Sequence, residues 1–203
     1  MGRNALIDKA ALLQSATRIS SEVGPQNLTI AALAASAGAS TGSIYHRYAS
    51  RNEILAAVWL CLVEEFQAQF LQELSAEDPV AAGLGAVRFT CQWVRGHPRE
   101  ARLLLLHSRE DFAADGWPAS YRERAAALTE AAAQAINGFA VRLAGASHGA
   151  AVRGIQLALI DLPTAALRRD VEAGMTPEPE LEAMLLETCA FALRRIWQRH
   201  FGS

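Results

Sequence analysis

Between Leu28 and Asn52 the chain reads Leu-Thr-Ile-Ala-Ala-Leu-Ala-Ala-Ser-Ala-Gly-Ala-Ser-Thr-Gly-Ser-Ile-Tyr-His-Arg-Tyr-Ala-Ser-Arg-Asn, an order that few folds accommodate. Ile30, Leu33, Ala34 and Ala37 recur at i, i+3, i+4 and i+7, so a short helix after Thr29 has one apolar face. Thr29 is its N-cap, and Leu28 packs on Leu33 as a hydrophobic staple. Gly38 makes the turn, because glycine enters the left-handed conformation without a Cβ penalty. Ser40 then caps a second short helix over residues 41–48. Two short helices across a tight turn read as a helix-turn-helix.

The second helix opens with Ser40, Thr41, Gly42 and Ser43, small residues that let its N-terminus approach a surface closely, three of them with hydroxyls. In a helix-turn-helix those first residues meet base edges in the major groove. Tyr45, His46, Arg47 and Arg51 have donors long enough for phosphate oxygens. With Thr29 at the start of the first helix, these nine residues are the expected DNA-facing set. Ile44 and Tyr48, four apart, share a face and anchor the helix to the core.

The run Gly38-Ala-Ser-Thr-Gly-Ser-Ile-Tyr-His-Arg-Tyr followed by Ser50-Arg-Asn-Glu-Ile-Leu resembles the DNA-binding signature of the tetracycline-repressor (TetR) family of bacterial regulators. The resemblance is strong over residues 5–60 and weak beyond, where such proteins diverge with their ligands. Tyr48 stands where the family usually has phenylalanine, and Arg51 where it usually has lysine; both substitutions keep the chemistry.

Length and charge agree with a two-part protein. The chain has 203 residues, 51% apolar and 20% charged, enough for one or two globular units. Residues 1–55 carry five basic and three acidic side chains, whereas the remainder carries fourteen and eighteen. A basic end on an acidic body suits a protein that presents one end to DNA. No uninterrupted apolar run approaches the ~18 residues of a membrane span and the N-terminus has no signal-peptide pattern, so a cytoplasmic location without membrane attachment is expected. Cys61, Cys91 and Cys189 lack metal-ligand spacing, so no metal and no cofactor are expected and the cysteines read as small buried hydrophobes.

Helical periodicity continues along the chain, with no strand-like alternation. A first helix over residues 4–23 ends at Gly24-Pro25, and Arg3 and Lys9 near its start are solvated or reach DNA. Ser50-Arg-Asn-Glu53 is a capping box that starts a helix running to about Leu74, roughly 36 Å long. Asp78-Pro79 opens the next, Pro98 another that ends near Phe112, and Asp115-Gly-Trp-Pro118 is a loop. An alanine-rich helix spans about 119–143, and the last two span about 150–173, kinked at Pro163, and 177–200, opened by Thr176-Pro177. The expected fold is all-α, about nine helices, with a DNA-binding domain over 1–49 and a ligand-binding and dimerisation domain over 50–203.

The resemblance implies a homodimer that binds a palindromic operator in double-stranded DNA, with half-sites roughly 34 Å or a multiple apart. It also implies that the last two helices pair across the dimer, which nominates Ile155, Leu159 and Leu162 with Leu185, Cys189, Ala192 and Ile196. Trp59, Phe66, Phe89, Trp93, Leu103, His107 and Phe112 come from helices able to surround an apolar cavity, with His107 as the polar contact for a small effector. Repression, relieved by that effector, is the family's commoner mode. A ligand-independent dimeric DNA-binding protein is the alternative. A helical-bundle enzyme is a weaker one, since no Glu-x-x-His, His-x-x-x-His, Gly-x-Ser-x-Gly or phosphate-loop pattern involves His97, His107, His148 or His200.

Overall fold

The computed structural model describes residues 8–113, 116–145 and 149–201. Arg3, the predicted first turn over 4–7, Asp115 and His148 lie outside the described residues. The described residues form nine helices and no strand. They are α1 (Lys9–Val23), α2 (Ile30–Ala37), α3 (Thr41–Tyr45), α4 (Arg51–Leu74), α5 (Pro79–Gly96), α6 (Pro98–Leu106), α7 (Ala119–Ala144), α8 (Gly149–Glu172) and α9 (Pro179–Phe201).

The local caps act where the residues place them. Thr29 Oγ1 accepts the Ala32 amide at 3.1 Å, and Gly38 closes α2 in the left-handed region at φ 61°. Ser40 Oγ accepts the Ser43 amide at 3.1 Å, and Asp78 accepts two amides at 2.8 and 3.0 Å ahead of Pro79. Helix α3 ends at Tyr45 instead of Tyr48, but hydrogen-bonded turns continue, the Tyr48 amide donating to Ile44 at 3.0 Å. Helix α6 stops at Leu106, because the Ser108–Asp111 capping box starts a separate single turn, Arg109–Phe112. The last helix begins at Pro179, so Pro179 and not Pro177 occupies its first turn.

Pro163 does not simply kink α8. The turn ahead of it, Leu157–Asp161, is a π-helix in which the Leu162 amide donates to Leu157. Proline has no N–H and crowds the preceding carbonyls, and one inserted residue relieves both constraints without breaking the rod.

Helices α4 and α8 have 18-residue windows of mean hydropathy 1.5 and 1.3, apolar enough to span a bilayer by length and composition. Neither helix is one uninterrupted apolar run, since Glu64 and Glu65 interrupt α4 and Arg153 and Asp161 interrupt α8. In α4 the apolar residues are used internally: Ile54, Leu55, Val58, Leu60 and Leu62 are buried on one end and Phe70 and Leu74 on the other.

Two apolar clusters make the core. One fills the head and continues beyond residue 49: Leu12, Leu33, Ile44 and Tyr48 pack with Leu55 and Val58 of α4, then with Leu103, Phe112, Trp117 and Tyr121. The other fills the body between α5, α7, α8, α9 and the far half of α4. The head is thus seated on the body by side chains from distant segments, while α4 runs through both clusters.

Candidate DNA-binding head and effector cavity

Helix α3 separates its two faces cleanly. Ile44 and Tyr48 are buried, whereas Thr41, Gly42, Tyr45 and His46 are exposed, Tyr45 by 52%. Ser40 is exposed and its hydroxyl lies 2.9 Å from that of Ser43. These groups form one small, hydroxyl-rich surface at a helix N-terminus, where unpaired backbone amides also favour an anionic partner. Thr29 is exposed beside this surface with its oxygen engaged as a cap.

The two arginines of the expected set are not equivalent. Arg47 donates to the Ser43 carbonyl at 3.0 Å, which lays its guanidinium along α3. Arg51 points back into the head. Its Nε donates to Leu28 at 2.5 Å, and its Nη2 donates to Pro25 at 2.9 Å and Gln26 at 2.5 Å. A five-donor guanidinium suits three carbonyls at the end of a turn. Arg51 therefore ties the α1–α2 connection to the start of α4, a contact over more than twenty residues that no local pattern encodes. Arg18, absent from the expected set, likewise ties α1 to α2 by donating to Ser36 Oγ at 2.5 Å.

In the body, an apolar cavity of about 190 Å³ lies between α4, α5, α6, α7 and α8. Val63, Phe66, Phe70 and Leu71 of α4 line it with Ile136 of α7 and Leu159 of α8, and Gln67, Thr90 and Thr164 are its polar members. Among the residues lining it there is no ionisable side chain.

Of the seven residues expected at a ligand site, only Phe66 lines this cavity. Phe89 and Trp93 back it, their rings 5.4 and 5.1 Å from that of Phe66. Leu103 and Phe112 instead belong to the head cluster, and Trp59 packs on Trp117 at 5.2 Å with Arg109 over both rings. His107 sits past the end of α6, 3.8 Å from Asp111 Oδ2. Burial pushes its pKa down, Arg102 adding to the effect and Asp111 opposing it. Helical spacing marks an aromatic as buried but does not say which of two cores receives it. Val63, Gln67 and Phe70 lie within four residues of Phe66 on α4, whereas Thr90, Ala132 and Thr164 carry no sequence signal.

The expected partner-facing residues also need correction. Ile155, Leu159, Leu185 and Cys189 are buried within this chain's own core, Ala192 and Ile196 pack against it, and Leu162 is half-buried. The opposite face of the same helices is open: Met184, Phe191 and Trp197 on α9, and Leu157 and Ile160 on α8. A single chain fills its core with the more regular apolar stripe. Met184, three residues after Leu181 and one before Leu185, keeps the spacing of that stripe yet stays outside the core, 65% exposed.

Residues 12–58 match the family model described as bacterial regulatory proteins of the tetR family. The head is a TetR-family DNA-binding domain. Among curated proteins none matches the chain. Solved structures match through almost its whole length. A TetR-family regulator from Shewanella sp. PV-4 is 20% identical, with a TM-score of 0.69 over 94% of this chain and 96% of that one. The regulator FadR from Bacillus subtilis, solved in complex with stearoyl-CoA, is 14% identical, with a TM-score of 0.68 over 92% and 97%. AibR, solved with isovaleryl coenzyme A and operator DNA, is 14% identical, with a TM-score of 0.66 over 89% and 95%. At these identities the likeness establishes the fold. The family match over residues 12–58 assigns the head to DNA binding, and the solved structures add the all-helical fold around it.

Proposed function

We propose that this TetR-family protein is a cytoplasmic, homodimeric repressor released from a palindromic operator by a small, uncharged, mainly apolar effector. The observation that carries the reading is the placement of two features on one helix. Helix α4 follows the hydroxyl-rich surface of α3 at one end and lines the apolar cavity at the other. An occupant of the cavity touches the same rigid element that carries the head.

In this reading Ser40, Thr41 and Ser43 read bases, Gly42 permits close approach, and Tyr45, His46 and Arg47 hold phosphates. Arg51 acts by shaping the head. The volume of about 190 Å³ suits a compact molecule of roughly ten heavy atoms, because ligand pockets are largely filled by what they bind. FadR and AibR were solved with acyl-CoA ligands; the uncharged lining here favours a molecule without their phosphates. The second copy packs on the open face around Phe191, which is 73% exposed.

Fluorescence anisotropy of labelled duplex from upstream of the protein's own gene, beside a scrambled duplex, tests this reading. Selective binding that weakens with salt is expected, followed by release in a screen of small apolar compounds. Equal, weak binding to that duplex, to its scrambled control and to duplexes selected from random sequence would reject it.

A further inference from the structure

Helices α4 and α7 both run from the cavity to the head, and two polar side-chain pairs join them: Arg124 donates to Glu64 Oε1 at 2.6 Å across an exposed ion pair, and Tyr121 meets Glu53 at the start of α4. Phe66 lies 13 residues, about 20 Å, beyond Glu53 on α4. Ala132 lies 11 residues, about 17 Å, beyond Tyr121 on α7. The Tyr121 hydroxyl donates to Glu53 Oε1 at 3.2 Å. Glu53 Oε2 accepts the Ala49 amide at 2.6 Å, in the loop that leaves α3. A single carboxylate thus links a body helix, the start of α4 and the segment carrying the recognition helix.

Tyr48, the residue just before Ala49, is 1% exposed, and its hydroxyl has no hydrogen-bond partner. After burial, the groups acting on that phenol are Tyr121 and Glu53, with Cys61 behind them, and all of them raise its pKa. A buried hydroxyl without a partner is unfavourable, so a rearrangement that supplies one is favoured.

We propose that Glu53 is a joint with two settings: it holds Tyr121 in the arrangement seen here, and takes the Tyr48 hydroxyl when an occupant of the cavity parts α7 from α4. The second setting pulls on the end of α3 and turns the recognition helix out of register with its partner copy. Tyr121 and Tyr48 act through Glu53 as positioning residues. This inference rests on the cavity being the effector site.

A cavity-filling substitution, Ala132→Phe, stands in for the effector. The dissociation constant of the full-length protein for a duplex selected from random sequences is measured for the parent and for Tyr121→Phe and Tyr48→Phe, each with and without Ala132→Phe. Helical circular dichroism verifies folding, and Thr164→Leu is the smaller filler if Ala132→Phe does not fold. In the parent, filling is expected to weaken binding about tenfold, within the usual range of coupling between sites. In the Tyr121→Phe and Tyr48→Phe backgrounds the same filler should act by no more than about twofold, near the limit of simple additivity. An equal loss in all three backgrounds would overturn the joint while leaving the cavity as the effector site. No loss in the folded, filled parent would overturn the cavity reading and the joint with it.

Discussion

The thiol of Cys189 on α9 donates to the Ala158 carbonyl on α8 at 2.9 Å. The π-turn accounts for the pairing. The Leu162 amide serves Leu157, and the donor next in line would belong to residue 163, a proline. Burial raises the Cys189 pKa to about 11, which keeps its proton in place. A side chain 31 residues away thus supplies the donor that Pro163 lacks.

Cys189→Ala should therefore lower stability by about 1 to 3 kcal/mol, the cost of stranding a buried carbonyl. For a chain of this size each kcal/mol lowers the melting temperature by roughly 2 to 4 °C. Cys189→Ser, which keeps a donor, should recover more than half of the loss. Equal losses in differential scanning calorimetry would assign the effect to packing alone.

Alkaline pH should weaken the fold through its buried thiols. Burial raises both Cys91 and Cys189 to about 11; for Cys91, Glu182 adds to the shift and Arg95 opposes it. The unfolded chain releases these protons first, near the ordinary thiol value of about 8.5. Stability is thus complete below that value and is lost as pH rises towards about 11. Urea midpoints should fall from pH 7 to pH 10, and fall less in the Cys91→Ala/Cys189→Ser double variant. An identical fall in that variant would place the loss on other groups.

Arg51 and Tyr45 should separate folding from DNA contact. Arg51→Ala strands three carbonyls and should cost about 1.5 to 3 kcal/mol of stability, with DNA affinity falling as a consequence. Tyr45→Ala, at a half-exposed site, should stay within about 0.5 kcal/mol of the parent yet weaken binding to specific and scrambled duplexes alike. Thermal melts beside anisotropy titrations test both. A fully stable Arg51→Ala protein with weakened DNA binding would return Arg51 to the phosphate-holding set.

The open face of α8 and α9 should govern assembly. Phe191→Glu is expected to give monomers in sedimentation velocity with a nearly unchanged monomer fold, since Phe191 is 73% exposed. Leu185→Ala, on the buried side, should cost about 2 to 5 kcal/mol through the space it leaves. An undisturbed dimer in the Phe191→Glu variant would move the interface elsewhere.

The sequence by itself determined the class of the fold, the position of nearly every helix and the helix-turn-helix surface. Those rest on interactions within about one turn: Thr29 to Ala32, Ser40 to Ser43, Ser50 to Glu53, Asp78 to Val80. Tertiary structure alone decided where the cavity lies, which side of α8 and α9 stays open, and that Arg51 serves the head's backbone. It also decided that Leu103 and Phe112 belong under the head and that Pro163 makes a π-turn held by Cys189. The physical reason is range. A cap is complete once its own turn forms, whereas a buried stripe is satisfied by any apolar neighbour, and only the packed chain selects among them.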